Sequence, residues 1–296
     1  MAAIRAGTDR PFNLNFFCHA DVRPSAADGE RWLDRLDRYY DELGTDRPTA
    51  LISGRAPYDE ELCALVEELR PPVVSFHFGL PAAPLVERTR ASGARVLSSA
   101  TTVAEARWLA EHGCDVVIAQ GVEAGGHRGM FLAESAAGQV GTLALVPQVV
   151  DAIDVPVIAA GGIADERGVA AALALGAEAV QVGTAFLRTP EATTSDLHRA
   201  ALAEVTDDAT VLTNVVTGRP ARGIVNRLLR EVGPLADDVP AFPYATAGTA
   251  PLRAAAEAQG SAEFSPLWAG QAAALAREEP AAEVVRRLVS RPAGRA

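Results

Sequence analysis

Residues 156–187 read PVIAAGGIADERGVAAALALGAEAVQVGTAFL. The apolar run that ends here, Val155–Ala160, and its successor Ala179–Thr184 are rich in Val, Ile and Ala, the composition of strands covered on both faces. Between them, Asp165–Leu175 (DERGVAAALAL) has helical spacing, with Asp165 in a capping position and Gly176 just past the end. Parallel neighbours need a crossover of this kind, so the unit reads strand–helix–strand. Glycines follow both strands, as Gly161-Gly162 and Gly183-Thr184.

Working upstream, the same pattern recurs. Asp115–Gln120, Arg95–Ser99, Val73–Phe78 and Phe12–Phe17 read as strands, and Thr102–Glu111 (TVAEARWLAE) as a helix that closes before Gly113. Strand and helix in alternation mean an α/β fold. Gly79, Gly121, Gly161-Gly162 and Gly183 all fall just past strands, and in a (β/α)8 TIM-type barrel such positions converge on one mouth. A doubly wound sheet would carry its G-x-G-x-x-G turn after the first strand, where none occurs. Six strands are legible and closure needs eight; Ala50–Ser53 is a short seventh candidate. The expected fold is therefore a TIM-type barrel, N-terminally incomplete, with a small helical cap. Past Phe186 the chain reads as helical and Pro-rich, with loops at Gly218-Arg219-Pro220 and Val239–Pro243. This divides it into a barrel at 1–205, a helical cap at 206–264, and C-terminal helices at 265–296 (Ala262–Arg277 and Ala281–Ser290) that rejoin the barrel.

Composition narrows the function classes. The 296 residues are 49% hydrophobic and 22% charged, enough to bury one large core. A net charge of -11 repels phosphate backbones and argues against a nucleic-acid partner. All 27 basic residues are Arg, so Schiff-base chemistry on a lysine is excluded. Cys18, Cys63 and Cys114 form no C-x-x-C pair, which argues against zinc and disulfides and suits a reducing cytoplasm. Met1–Arg5 lacks the apolar run of a signal peptide, and no uninterrupted apolar stretch is long enough to span a membrane. Assembly with like chains is left open.

The chemistry points to QGVEAGGHRG, residues 120–129. Its four glycines let backbone approach a flat ligand, and His127 after a strand end is placed to accept a proton or donate a hydrogen bond. A lone loop histidine more often caps a helix; the strand end and the glycines favour the chemical role. The Gly161-Gly162 and Gly183-Thr184 ends suit phosphate, held by backbone N–H groups and a helix start, or serve only as tight turns. Asn13 and Asn15 share one face of the first strand, where an inward amide must bond either a ligand or neighbouring backbone. His77 shares parity with Ser75 and either lines a substrate pocket or is a satisfied core histidine. His19, His112 and His198 carry no context.

Taken together these segments resemble the nitronate monooxygenase family, over about residues 9–290. QGVEAGGHRG is similar to its catalytic loop, with His127 in the histidine position. PVIAAGGIADERGVAAALALGAEAVQVGTAFL resembles its phosphate-binding half. SFHFGLP, TGRPARG and LWAGQ resemble further family segments. The resemblance implies FMN as cofactor, contacted by Asn15, Gln120, Gly125, Gly126, Gly161, Gly162, Gln181, Gly183 and Thr184. It implies His127 as the catalytic residue, His77 and Arg128 on the substrate side, and no metal. The implied reaction is oxidation of an alkyl nitronate, of the propionate 3-nitronate type, by molecular oxygen to a carbonyl compound and nitrite or nitrate. Family members usually open with a strand ending in Ala-Pro-Met, a helix and a Gly-rich second strand. Nothing here matches these, so either a displaced start or a fragment with two open sheet edges is expected. Two other functions stay open, an FMN-dependent NAD(P)H enoyl-thioester reductase and a silent fragment or binding module.

Overall fold

Alternation of inward and outward side chains along six short strands builds the main sheet of the computed structural model, which describes residues 1–52, 54–133 and 135–291. In chain order the strands are β1 (Asn13–Phe17), β2 (Val73–His77), β3 (Arg95–Ala100) and β4 (Val116–Gln120). After the two-residue β5 (Gly126–His127), which leaves this sheet, come β6 (Val157–Ala160) and β7 (Ala179–Gln181). They pair in parallel in the order β1-β2-β3-β4-β6-β7. All six expected strands are present, within three residues at each end. Among the described residues no strand pairs the outer edge of β1 or β7, so the sheet is a half-barrel. Ala50–Ile52 form no strand, and Ser53 lies outside the described residues.

Register decides which residues share a face. Asn15 lies opposite Ser75, Ser75 opposite Leu97, Ser99 opposite Ile118, Gln120 opposite Ala160, and Ala160 opposite Gln181. With a period of two, that inner face also takes Asn13 and His77. The opposite face is apolar: Val117, Ala119, Val157 and Ala159 pack under Leu109, Leu145, Val146 and Val149 of the covering helices. Asp165 caps Glu166–Ala174 through Arg167 and Gly168 N–H, and Thr102 caps Val103–Glu111 through Glu105 N–H, as their sequences suggest.

A second sheet was not foreseen. Within 206–264, β8 (Thr210–Thr213) and β9 (Ala221–Ile224) join β5 in the antiparallel order β5-β9-β8, alongside the helices Arg227–Val232 and Ala245–Ala258. Helix Ala26–Leu43 packs on this layer. Its buried stripe of Trp32, Leu33, Leu36, Tyr39 and Tyr40, spaced for one helical face, meets Leu228, Leu229, Ala245, Leu252 and Phe264.

Downstream, the helix expected at Ala262–Arg277 is absent, and a single 3-10 turn at Ala273–Leu275 stands in its place. Tertiary backbone bonds override the Ala-rich propensity: Leu267 O accepts from Ile224 N (2.8 Å), Gly223 bridges Trp268, and Gln271 N donates to Glu123 O (2.9 Å). Ala281–Leu288 is helical as expected.

Candidate functional site

The glycine-marked strand ends converge. One cavity of about 320 Å³ is lined by Gln120 at the end of β4 with Gly125 and Gly126 beyond it, Gly161 and Gly162 after β6, and Gln181, Gly183 and Thr184 at and beyond β7. Gly161 (φ 106) and Gly162 (φ 70) occupy the left-handed region that only glycine enters freely, which turns the chain sharply at the cavity wall. A Cβ built on Gly183 meets nothing within 4 Å, because it would project into open space. Among the described residues, the N–H groups of Gly162, Ile163, Gly183 and Thr184 find no backbone acceptor. Unspent N–H groups at paired strand ends suit an anionic ligand. The Leu267–Gln271 segment closes the opposite wall: Gly270 N donates to Thr184 Oγ1 (3.0 Å), and Trp268, Gly270 and Ala272 complete the lining.

A second cavity, about 450 Å³, holds His127 together with Arg55, His198, Val216, Thr217, Phe242, Thr249, Arg253 and others. It shares Leu187 and Trp268 with the first, so the two spaces abut across those side chains. Rings enclose His127: Phe242 at 5.2 Å, Trp268 at 5.6 Å, Phe78 at 5.9 Å and Phe17 at 6.0 Å between centroids. Burial in this wall lowers its pKa to about 3, assisted by the charges of His77, Arg55 and Arg219, so the ring is neutral at pH 7. His127 is also firmly held. Its carbonyl accepts from Gln120 Nε2 (3.0 Å) and His77 Nε2 (3.1 Å), it pairs Ala221 of β9, and its Nε2 meets Thr217 Oγ1 at 2.9 Å.

Three expected site residues are placed elsewhere. Arg128, expected on the substrate side, is fully buried and borders neither cavity. Its guanidinium donates to the carbonyls of Gln120 (2.9 Å) and Gly121 (2.6 Å) and to Gln139 Oε1, clasping the loop from beneath. His77 bonds Ser99 Oγ (3.2 Å) besides the His127 carbonyl; burial lowers its pKa to about 4, and it supports the loop instead of lining a cavity. Asn15 is exposed on the inner face, its Oδ1 accepting from Ser75 Oγ (2.8 Å), and it does not line the glycine cavity. Thr217, Phe242 and Trp268 gave no individual signal in the sequence, although Thr217 and Trp268 stand in TGRPARG and LWAGQ. Glu105 was also missed. It is wholly buried, and its carboxylate accepts from Thr101 N (2.7 Å) and Phe131 N (2.6 Å), fixing the chain just past the histidine loop.

Comparison with known proteins follows the same lines. A family model described as nitronate monooxygenase matches residues 1–291. A nitronate monooxygenase of Pseudomonas aeruginosa is 45% identical over 97% of this chain and 82% of its own. One of Paraburkholderia phytofirmans is 41% identical over 96% and 78%. Among solved structures, nitroalkane oxidase from Streptomyces ansochromogenes superposes with a TM-score of 0.86 at 40% identity, covering 97% of this chain and 82% of that one. FabK from Thermotoga maritima superposes at 0.66 with 27% identity, over 97% and 78%.

Proposed function

The chain belongs to the nitronate monooxygenase family, and from that premise we propose an FMN-dependent enzyme that oxidises alkyl nitronates, of the propionate 3-nitronate type, with molecular oxygen. The products are a carbonyl compound and nitrite or nitrate. One observation carries the reading: a neutral, ring-enclosed His127 lines a cavity that abuts the glycine-lined one across Leu187 and Trp268.

The residues present fit FMN. The open N–H groups at 162–163 and 183–184 match a phosphate, and the space open at Gly183 is where a Cβ would obstruct it. Gly161, Gly162, Gly183 and Thr184 would hold the phosphate; Gln120, Gly125, Gly126 and Gln181 line the rest of that space. When bound, FMN would supply the redox chemistry that couples nitronate oxidation to oxygen. His127 stands beside the substrate and, with a neutral nitroalkane, takes the α-proton. The aromatic wall excludes water around that proton. Val216, Thr217, Phe242, Thr246 and Thr249 line the second cavity, which supports reading the 206–264 segment as a cap on the substrate side. Neither the enoyl-thioester reductase nor the silent fragment is favoured, since relatives 41–45% identical carry the nitronate monooxygenase name.

The purified protein is expected to be yellow and to consume oxygen with propionate 3-nitronate in the absence of pyridine nucleotide. A colourless protein, or strict dependence on NAD(P)H, would refute the assignment. His127→Asn is expected to slow nitroethane turnover about 100-fold or more, well beyond its effect on ethylnitronate, because only the neutral form needs a base. Equal losses on both substrates would remove His127 from that role.

A further inference from the structure

Thr217 lies ninety positions from His127 in sequence and is almost fully buried, yet its hydroxyl meets the imidazole Nε2 at 2.9 Å. It occupies a tight turn. Gly218 N donates to Asn214 O (2.7 Å), and Gly218 has φ 89 in a space where a Cβ would come within 2.1 Å of Pro240 O. On the other side Pro220 O accepts from Arg128 N (2.8 Å), which ties this turn to the histidine loop. Neither partner has room to drift.

A neutral imidazole carries one N–H, and a threonine hydroxyl has one hydrogen to give. Two arrangements are therefore open. In the first, Nε2–H donates to Thr217 Oγ1, and the hydroxyl donates onward to Arg219 O at 3.4 Å. Both hydrogens then find acceptors, and Nδ1 keeps its lone pair. In the second, the hydroxyl donates to Nε2 and the proton rests on Nδ1. That nitrogen has no partner among the described residues, and Arg219 O loses its donor. The first arrangement makes two hydrogen bonds and the second makes one, which favours the first.

We infer that Thr217 is a positioning residue that holds His127 as the Nε2–H tautomer and so makes Nδ1 the proton-accepting atom. This rests on the nitronate reading for its chemistry but not for its geometry. With a neutral nitroalkane the α C–H bond breaks, its proton moves to Nδ1, and the electron pair stays on the substrate as the nitronate. The imidazolium that forms keeps its Nε2–H bond to Thr217, so no rearrangement is needed during the transfer.

The test uses the flavin-loaded protein with 15N-labelled histidine. The His127 signals are assigned by their disappearance in His127→Asn. Wild type and Thr217→Ser are expected to show the Nε2–H pattern. Thr217→Val, which keeps shape but lacks the hydroxyl, is expected to show a mixed or Nδ1–H pattern. The ratio of nitroethane to ethylnitronate turnover is expected to fall about 10-fold in Thr217→Val and to recover in Thr217→Ser, a loss within the range for general-base catalysis. An Nδ1–H tautomer in wild type would overturn the inference, as would a Thr217→Val protein whose tautomer and ratio both match wild type. Because the spectra do not depend on nitronate turnover, failure of the functional reading would show separately, as wild-type protein that oxidises no nitronate.

Discussion

At the scale of single residues, the site depends on ionisable side chains kept uncharged or fully bonded. Burial lowers His77 to about 4 and His127 to about 3, both from an ordinary value near 6.5. The unfolded chain takes up these two protons as pH falls through about 6.5, while the native protein resists until about 4 and then about 3. The histidine contribution to stability is therefore complete above about pH 6.5 and declines as pH falls towards 4. Urea midpoints measured from pH 8 to 4 are expected to drop over that interval, and His77→Asn is expected to flatten the slope. An unchanged slope in that variant would refute this account of His77. His127 was legible from its place among glycines after a strand. The inward turn of Arg128 was not, because a guanidinium beside a reactive loop reads equally well as a substrate contact or as a clasp. Only the carbonyls of Gln120 and Gly121 decide between them.

At the scale of elements, strand ends and their glycines were the most legible feature, since period-two burial and turn residues are local properties. The failures were also local in origin. An Ala-rich run at 262–277 has high helix propensity, but backbone bonds to β9 and the Glu123 carbonyl hold 267–271 out of a helix. Gly125 shows why that course is needed. A Cβ there would lie 2.5 Å from Gly270 N and 2.7 Å from Ala269 C, both backbone atoms that cannot rotate away. Gly125→Ala is expected to push the two cavity walls apart and weaken flavin retention by about tenfold or more, ~1.4 kcal/mol. Titration of the apoprotein with FMN measures this, and wild-type affinity in the variant would show that the contact does not shape the cavity.

At the scale of the whole molecule, the chain interleaves its layers. Helix Ala26–Leu43 lies between β1 and β2 in sequence but buries its apolar stripe against the 206–264 segment, with Tyr40 Oη donating to Gly248 O (2.7 Å). The wall over the second cavity is thus held partly by residues near the start of the chain. Leu36 is fully buried in that contact, and Leu36→Ala is expected to cost about 3 kcal/mol. A drop of that size in unfolding free energy, read by urea titration, would bear out the shared core; a change below about 0.5 kcal/mol, the usual surface value, would refute it. By itself the sequence determined the six parallel strands, the glycines at their ends and the histidine among them, because each is written in short-range periodicity. The tertiary structure alone decided which nitrogen of His127 is engaged, which rings enclose it, and that Arg128 turns inward. Those outcomes depend on partners brought from distant parts of the chain, such as Thr217, Phe242 and Trp268 around His127, and no local pattern encodes such a distance.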